Sequence, residues 1–85
     1  MKLPVIKHLI EFIQQNDVDF VHETIETLES LTESPALKDE ELDVIGEIIS
    51  NLYGAVEVDK LIKAGAPQNE ALNSFMKRVL GSIDQ

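Results

Sequence analysis

The sequence predicts an all-α fold, a compact four-helix bundle or a near relative of one, and three observations carry that prediction. Apolar residues recur at three- and four-residue intervals in four separate stretches. Helix-stopping groups fall between those stretches: Gln14-Gln15-Asn16-Asp17, Ser34-Pro35 and Gly65-Ala66-Pro67. No stretch alternates apolar and polar residues over a strand's length, and no internal repeat is present.

The first segment spans Leu3 to Gln15, with Val5, Ile6, Leu9, Ile10, Phe12 and Ile13 on a broad apolar arc and Pro4 in the opening turn. Asn16 or Asp17 caps a second helix whose stripe is Val18, Val21, Ile25, Leu28 and Thr32. Asp19, Glu23, Glu26 and Glu33 share its opposite face, as expected of a solvated surface. Ser34-Pro35 stops that helix, and the third begins either at Ser34-Pro35 or, preferably, near Asp39, with Glu40 and Glu41 in its first turn.

The third segment is long and unusually apolar. Leu42, Ile45, Ile49, Leu52, Tyr53 and Val56 form one stripe, and Val44, Ile48 and Ala55 form a second about 120° away at 100° per residue. Only Asp43, Glu47, Ser50 and Glu57 keep a polar ribbon, which suits a central helix or a subunit interface. Past Gly54 the apolar centre moves toward Val58, Leu61 and Ile62, so the segment either bends near Gly54 or runs straight through it. Gly46 and Gly54 fall on the polar side and are expected to be merely tolerated, at about 1 kcal/mol each relative to Ala. Lys63-Ala64-Gly65 closes the segment, and Pro67 opens a fourth helix with the stripe Leu72, Phe75, Met76, Val79 and Ile83.

Composition narrows the function classes. With 85 residues there is room for one core, so residues 1–85 are expected to form a single domain. The chain is 44% apolar and 5% aromatic, so that core is built mainly from Ile, Leu and Val. The absence of cysteine excludes disulfides, thiolate catalysis and zinc knuckles. No signal-peptide pattern follows Met1 and no apolar run is long enough to span a bilayer, which makes a cytoplasmic location without membrane association the expectation. The net charge of -9 is unevenly placed: residues 1–59 hold three lysines against fourteen acids, and residues 60–85 hold four bases against two. The molecule as a whole repels nucleic acid.

Met1-Lys2-Leu3-Pro4-Val5-Ile6-Lys7-His8, Leu37-Lys38-Asp39-Glu40-Glu41-Leu42-Asp43-Val44-Ile45-Gly46 and Phe75-Met76-Lys77-Arg78-Val79-Leu80-Gly81-Ser82 carry a resemblance that extends over nearly the whole chain. The sequence resembles a family of small uncharacterised helical proteins of Bacteroidetes-type bacteria, a domain of unknown function. The resemblance implies a complete small protein and transfers no functional residue. Relatives encoded near thioredoxin-like and peroxiredoxin genes imply a redox-linked partner, to which a chain without cysteine would be an accessory.

His8 with Glu11 and His22 with Glu26 share helical faces, but neither histidine has Glu three residues before it, as di-iron bundles require, so no metal site or cofactor is expected. Both histidines sit at the margins of apolar stripes and are expected to be partly buried. The serines lack a nucleophile motif, no glycine-rich phosphate loop is present, and the carboxylates of the second helix face water, so no enzyme activity is expected.

Residues 58–80 resemble a helix-turn-helix, with Lys60, Lys63, Asn73, Lys77 and Arg78 as the nucleic-acid contacts of an alternative reading. The leading expectation is instead a non-enzymatic interaction module. It would bind a protein partner, or itself as a homodimer, through apolar surface on the first and third helices, with Ile45, Ile48, Ile49, Leu52 and Tyr53 at the interface.

Overall fold

The computed structural model describes residues 2–83, with side chains through residue 79. Four helices follow one another: α1 (Leu3–Gln15), α2 (Asp19–Leu31), α3 (Asp39–Lys63) and α4 (Gln68–Ile83). They form an all-α bundle organised around α3, which packs against each of the other three, while those three meet one another only marginally.

Local chemistry sets the helix ends. Asp17 supplies the start of α2, its Oδ1 accepting the Asp19 N–H at 3.0 Å. After Leu31 the chain leaves α2 through short i→i+3 turns, with Glu33 N–H on the Ser30 carbonyl and Ser34 N–H on that of Leu31, so the helix ends before Ser34-Pro35 is reached. Lys38 precedes α3, its N–H bonded to Glu41 Oε1 at 3.0 Å, and three acids occupy the first turn, where the helix dipole favours them. At the far end Gly65 takes φ +112, Gly65 N–H bonds the Ile62 carbonyl and Ala66 N–H that of Leu61. Those two bonds are a Schellman closure, and they need a residue without Cβ at position 65.

The helix α3 is continuous through Gly54, and the glycine has a reason other than bending. A Cβ at position 54 would stand 3.0 Å from Ile6 Cδ1 and 3.2 Å from Phe75 Cζ. Gly54 is therefore buried where α1 and α4 close on α3, and not on a polar side as expected from the sequence. Gly46 does fall in open space.

Direction follows from the pairings. Lys2 meets Asn51 and Ile6 meets Gly54, so α1 runs alongside the second half of α3 in the same sense. Val18 lies with Ile62 and Glu29 with Tyr53, so α2 runs antiparallel to it, as does α4, which folds back at Gly65 to bring Phe75 against Gly54. The core comprises Ile6, Ile10 and Ile13 of α1, Val21 and Ile25 of α2, Leu52, Ala55, Val56 and Val58 of α3, and Ala71, Leu72 and Phe75 of α4. Met76 and Val79 pack against it; the Ile83 side chain lies outside the described residues.

Every buried residue of α3 lies between Asn51 and Asp59. Its first half, from Asp39 to Ser50, extends past the start of α1 and holds no buried side chain. The molecule is correspondingly flat, 43 × 36 × 17 Å, with a Cα radius of gyration of 13.9 Å, against roughly 12 Å for a compact chain of this length. Among the described residues no helix is long and apolar enough to cross a membrane.

Candidate functional site

The α1 arc has more apolar surface than α3 covers. Ile6, Ile10 and Ile13 turn inward, while Val5 (39% exposed) and Phe12 (41%) face outward on the flank nearest α2. On α2, Phe20, Thr24, Thr27 and Leu31 fall on one line at four-, three- and four-residue spacing. Phe20 is 54% exposed and Leu31 is 44% exposed. Thr24 Oγ1 donates to the Phe20 carbonyl at 2.6 Å and Thr27 Oγ1 to that of Glu23 at 2.8 Å. Both hydroxyls are thereby engaged by the helix's own backbone. The line is more apolar than its composition suggests.

These two flanks enclose a groove. At one end a hollow is lined by His8, Leu9 and Phe12 of α1, Phe20, Val21 and Thr24 of α2, and Leu52 of α3. At the other, Lys2, Val5 and Leu9 of α1 face Glu47, Ile48, Asn51 and Leu52 of α3. Leu9 and Leu52 line both hollows, which therefore adjoin one another over α3, the first between α1 and α2 and the second between α1 and α3; together they make up the trough. Phe12 and Phe20 meet edge to face, centroids 6.0 Å apart, and close one end. Along α3 the apolar line continues past Ile48 to Val44, which is 60% exposed. A third hollow there is lined by Leu37, Glu40, Glu41, Val44 and Ile45.

Two buried polar groups fix the frame of the trough. Asn51, at the Val5 end, accepts the Lys2 N–H through Oδ1 at 2.8 Å and donates through Nδ2 to the Glu47 carbonyl at 2.9 Å. Asp59, beyond the other end, holds Lys63 Nζ at 2.8 Å through Oδ2. That hydrogen bond raises the Lys63 pKa above the usual lysine value. No buried side-chain N or O lacks a partner among the described residues.

The five interface residues expected from the sequence are not brought to one surface. Ile48 and Leu52 belong to the trough, Ile48 as an exposed wall and Leu52 as buried floor. Ile45 lies in the neighbouring hollow with Leu37 and Val44, and Ile49 is half-buried. Tyr53 is on the other side of α2, where its hydroxyl donates to Glu29 Oε2 at 3.1 Å. That bond raises the Tyr53 pKa, because the phenol must stay protonated to donate. Periodicity within α3 placed these residues correctly on the helix but could not say which flanks α1 and α2 would take. The sequence did not point to Phe20 and Thr24, which with Val21 form the α2 wall. The four-residue spacing of Phe20 and Thr24, one turn apart, was the available signal.

None of the helix-turn-helix candidates lines the trough, and Lys63 lies in a hollow with Ile13, Asp17 and Val18 at the α1–α2 turn. Lys60, Asn73 and Lys77 are exposed, Lys63 is engaged by Asp59, and Arg78 reaches Glu57 Oε2 at 3.4 Å and lies 5.6 Å from the Phe75 ring centroid. Both His8 and His22 are exposed, not partly buried as expected, because each falls just outside the inward arc of its helix. Among the described residues no three His, Asp or Glu side chains assemble as a metal-binding group.

No curated protein and no solved structure matches the chain. A family of unknown function, DUF6952, matches residues 1–84, nearly the full length, and the chain belongs to that family.

Proposed function

We propose that this chain is a non-enzymatic interaction module that docks a segment of protein in the trough between α1 and α2. One observation carries the reading: Val5, Phe12, Phe20 and Ile48, each between 39% and 54% exposed, border one concave face. Single exposed apolar residues are ordinary on a protein surface, whereas a contiguous concave set is characteristic of binding sites. The trough is open along its length and floored by Leu52, a geometry suited to an inserted helix.

The test is site-specific photo-crosslinking in the native host, with a photoreactive residue at position 48 and a control at Asn73, which is exposed on α4. Discrete adducts from position 48 and none of the same size from position 73 support docking at the trough. Identical adduct patterns at both positions, or no adduct at 48, contradict it.

A further inference from the structure

We infer that the occupant of the trough is a basic amphipathic helix of another protein, not a second copy of this chain; the inference rests on the docking reading above and specifies its partner. Spacing gives the first argument. Val5 and Phe12, which mark the two hollows, are seven residues apart on α1, or roughly 10.5 Å along the helix. Leu9 and Leu52 lie between them. A helix laid in the trough would place apolar anchors at i, i+3 or i+4, and i+7, and that is the spacing at which a helix presents one face.

Charge gives the second argument. Residues 17–47, which supply α2 and the protruding half of α3, hold eleven acids and one lysine. Glu40 and Glu41 line the neighbouring hollow at Val44, and Glu23 directly precedes Thr24 of the α2 wall in sequence. Among the described residues, Lys2 is the only lysine or arginine that lines the trough, and it stands beside Glu47. A partner helix with lysine or arginine beside its apolar stripe would meet the acids of α2 and α3 as it seats.

The same distribution disfavours a homodimer. Among the described residues, the strongly exposed large apolar ones, Val5, Phe12, Phe20, Leu31, Val44, Ile48 and Tyr53, all lie in the acidic two-thirds of the chain. Pairing trough to trough would therefore bring acid against acid, which opposes association. The bases of α4 cannot serve as the inserted helix of a second copy, because the apolar stripe of α4 is already committed to the core through Ala71, Leu72 and Phe75.

The experiment uses two designed helical peptides on the order of 16 residues, long enough for partial helicity in water. Both carry leucine at i, i+4 and i+7; one has lysines on its flanks and the other glutamates, and binding to the full chain is read by fluorescence anisotropy. The lysine peptide is expected to bind at least about tenfold more tightly than the glutamate peptide, with an affinity that falls as salt rises. The variant Ile48→Glu separates docking from mere charge attraction. It adds an acid, so bulk attraction would strengthen binding, whereas loss of the trough wall is expected to weaken it at least about tenfold. Asn73→Glu, with the same charge change elsewhere, is expected not to weaken it.

Equal binding of the two peptides, binding of neither, or full binding by Ile48→Glu overturns the inference. So does a concentration-dependent dimer in light scattering that Ile48→Glu abolishes, since a second copy would then own the trough. If the peptides fail while discrete adducts still form at position 48, the basic partner is lost and docking stands; if both fail, both readings fall.

Discussion

Asn51 and Lys2, 49 residues apart in sequence, are joined by a 2.8 Å hydrogen bond from the Lys2 backbone N–H to Asn51 Oδ1. Lys2 immediately precedes α1, where the chain's N–H groups have no partner within the helix. Asn51, 5% exposed, is also the first buried residue of α3. This bond thus sets where α1 begins along α3, and so how much of the first half of α3 is left uncovered. Asn51→Ala removes the acceptor and is expected to cost about 1 kcal/mol of unfolding free energy in urea. An unchanged urea midpoint would show that packing of Ile6 and Ile10 alone seats α1.

The two glycines inside α3 should respond to the same substitution with opposite sign. Gly46→Ala meets nothing within 4 Å and is expected to stabilise the helix by about 0.8–1 kcal/mol. Gly54→Ala has the same propensity gain but must displace the Ile6 methyl and the Phe75 ring, on which its Cβ would press at 3.0 and 3.2 Å. Overpacking of this kind costs about 1–3 kcal/mol and should outweigh the gain. Thermal melting of the two variants beside the parent reads both signs.

Tyr53, the chain's one tyrosine, can be followed directly by ultraviolet absorbance. Its hydrogen bond to Glu29 raises its pKa, so ionisation should begin at higher pH than in the urea-unfolded chain. Glu29→Gln should move the midpoint back toward that of the unfolded chain. Lys63, raised by its bond to Asp59, acts in the same direction. Both groups hold their protons more tightly when folded, so their contribution is complete below the unfolded pKa values of about 10. It is lost as pH rises through the folded values. Urea midpoints should therefore decline above about pH 10, and the decline should be smaller in Glu29→Gln.

Much of this architecture was legible from the residues. Pro4, the preferred start at Asp39 and the closing Gly65 marked helix ends that the structure places at Leu3, Asp39 and Lys63. The breadth of the α3 arc suited either a central helix or a subunit interface, and the structure makes α3 the helix that the other three pack on. The role of Gly54 was not legible, because a glycine that allows two neighbours to approach has the same sequence signature as one that is merely tolerated. The trough was half legible. Ile48 and Leu52 were recognised from α3 itself, but a groove belongs to three helices at once, and its second wall depends on how α2 is rotated about its axis. The turn of the Thr24 hydroxyl onto the Phe20 carbonyl, which takes up its donor, is a matter of rotamer and leaves no trace in composition.

The central claim is that the trough is a free docking face and not an unfinished part of the core. Urea unfolding of Ile48→Glu beside Ile10→Ala tests it most directly. Ile10 is fully buried in the core, and its truncation is expected to cost about 2–5 kcal/mol. Ile48, 44% exposed, should tolerate glutamate with a loss under about 1 kcal/mol and an unchanged m-value. A loss for Ile48→Glu comparable to that for Ile10→Ala would mean that the trough wall is part of what holds the fold together, and the docking account would be contradicted.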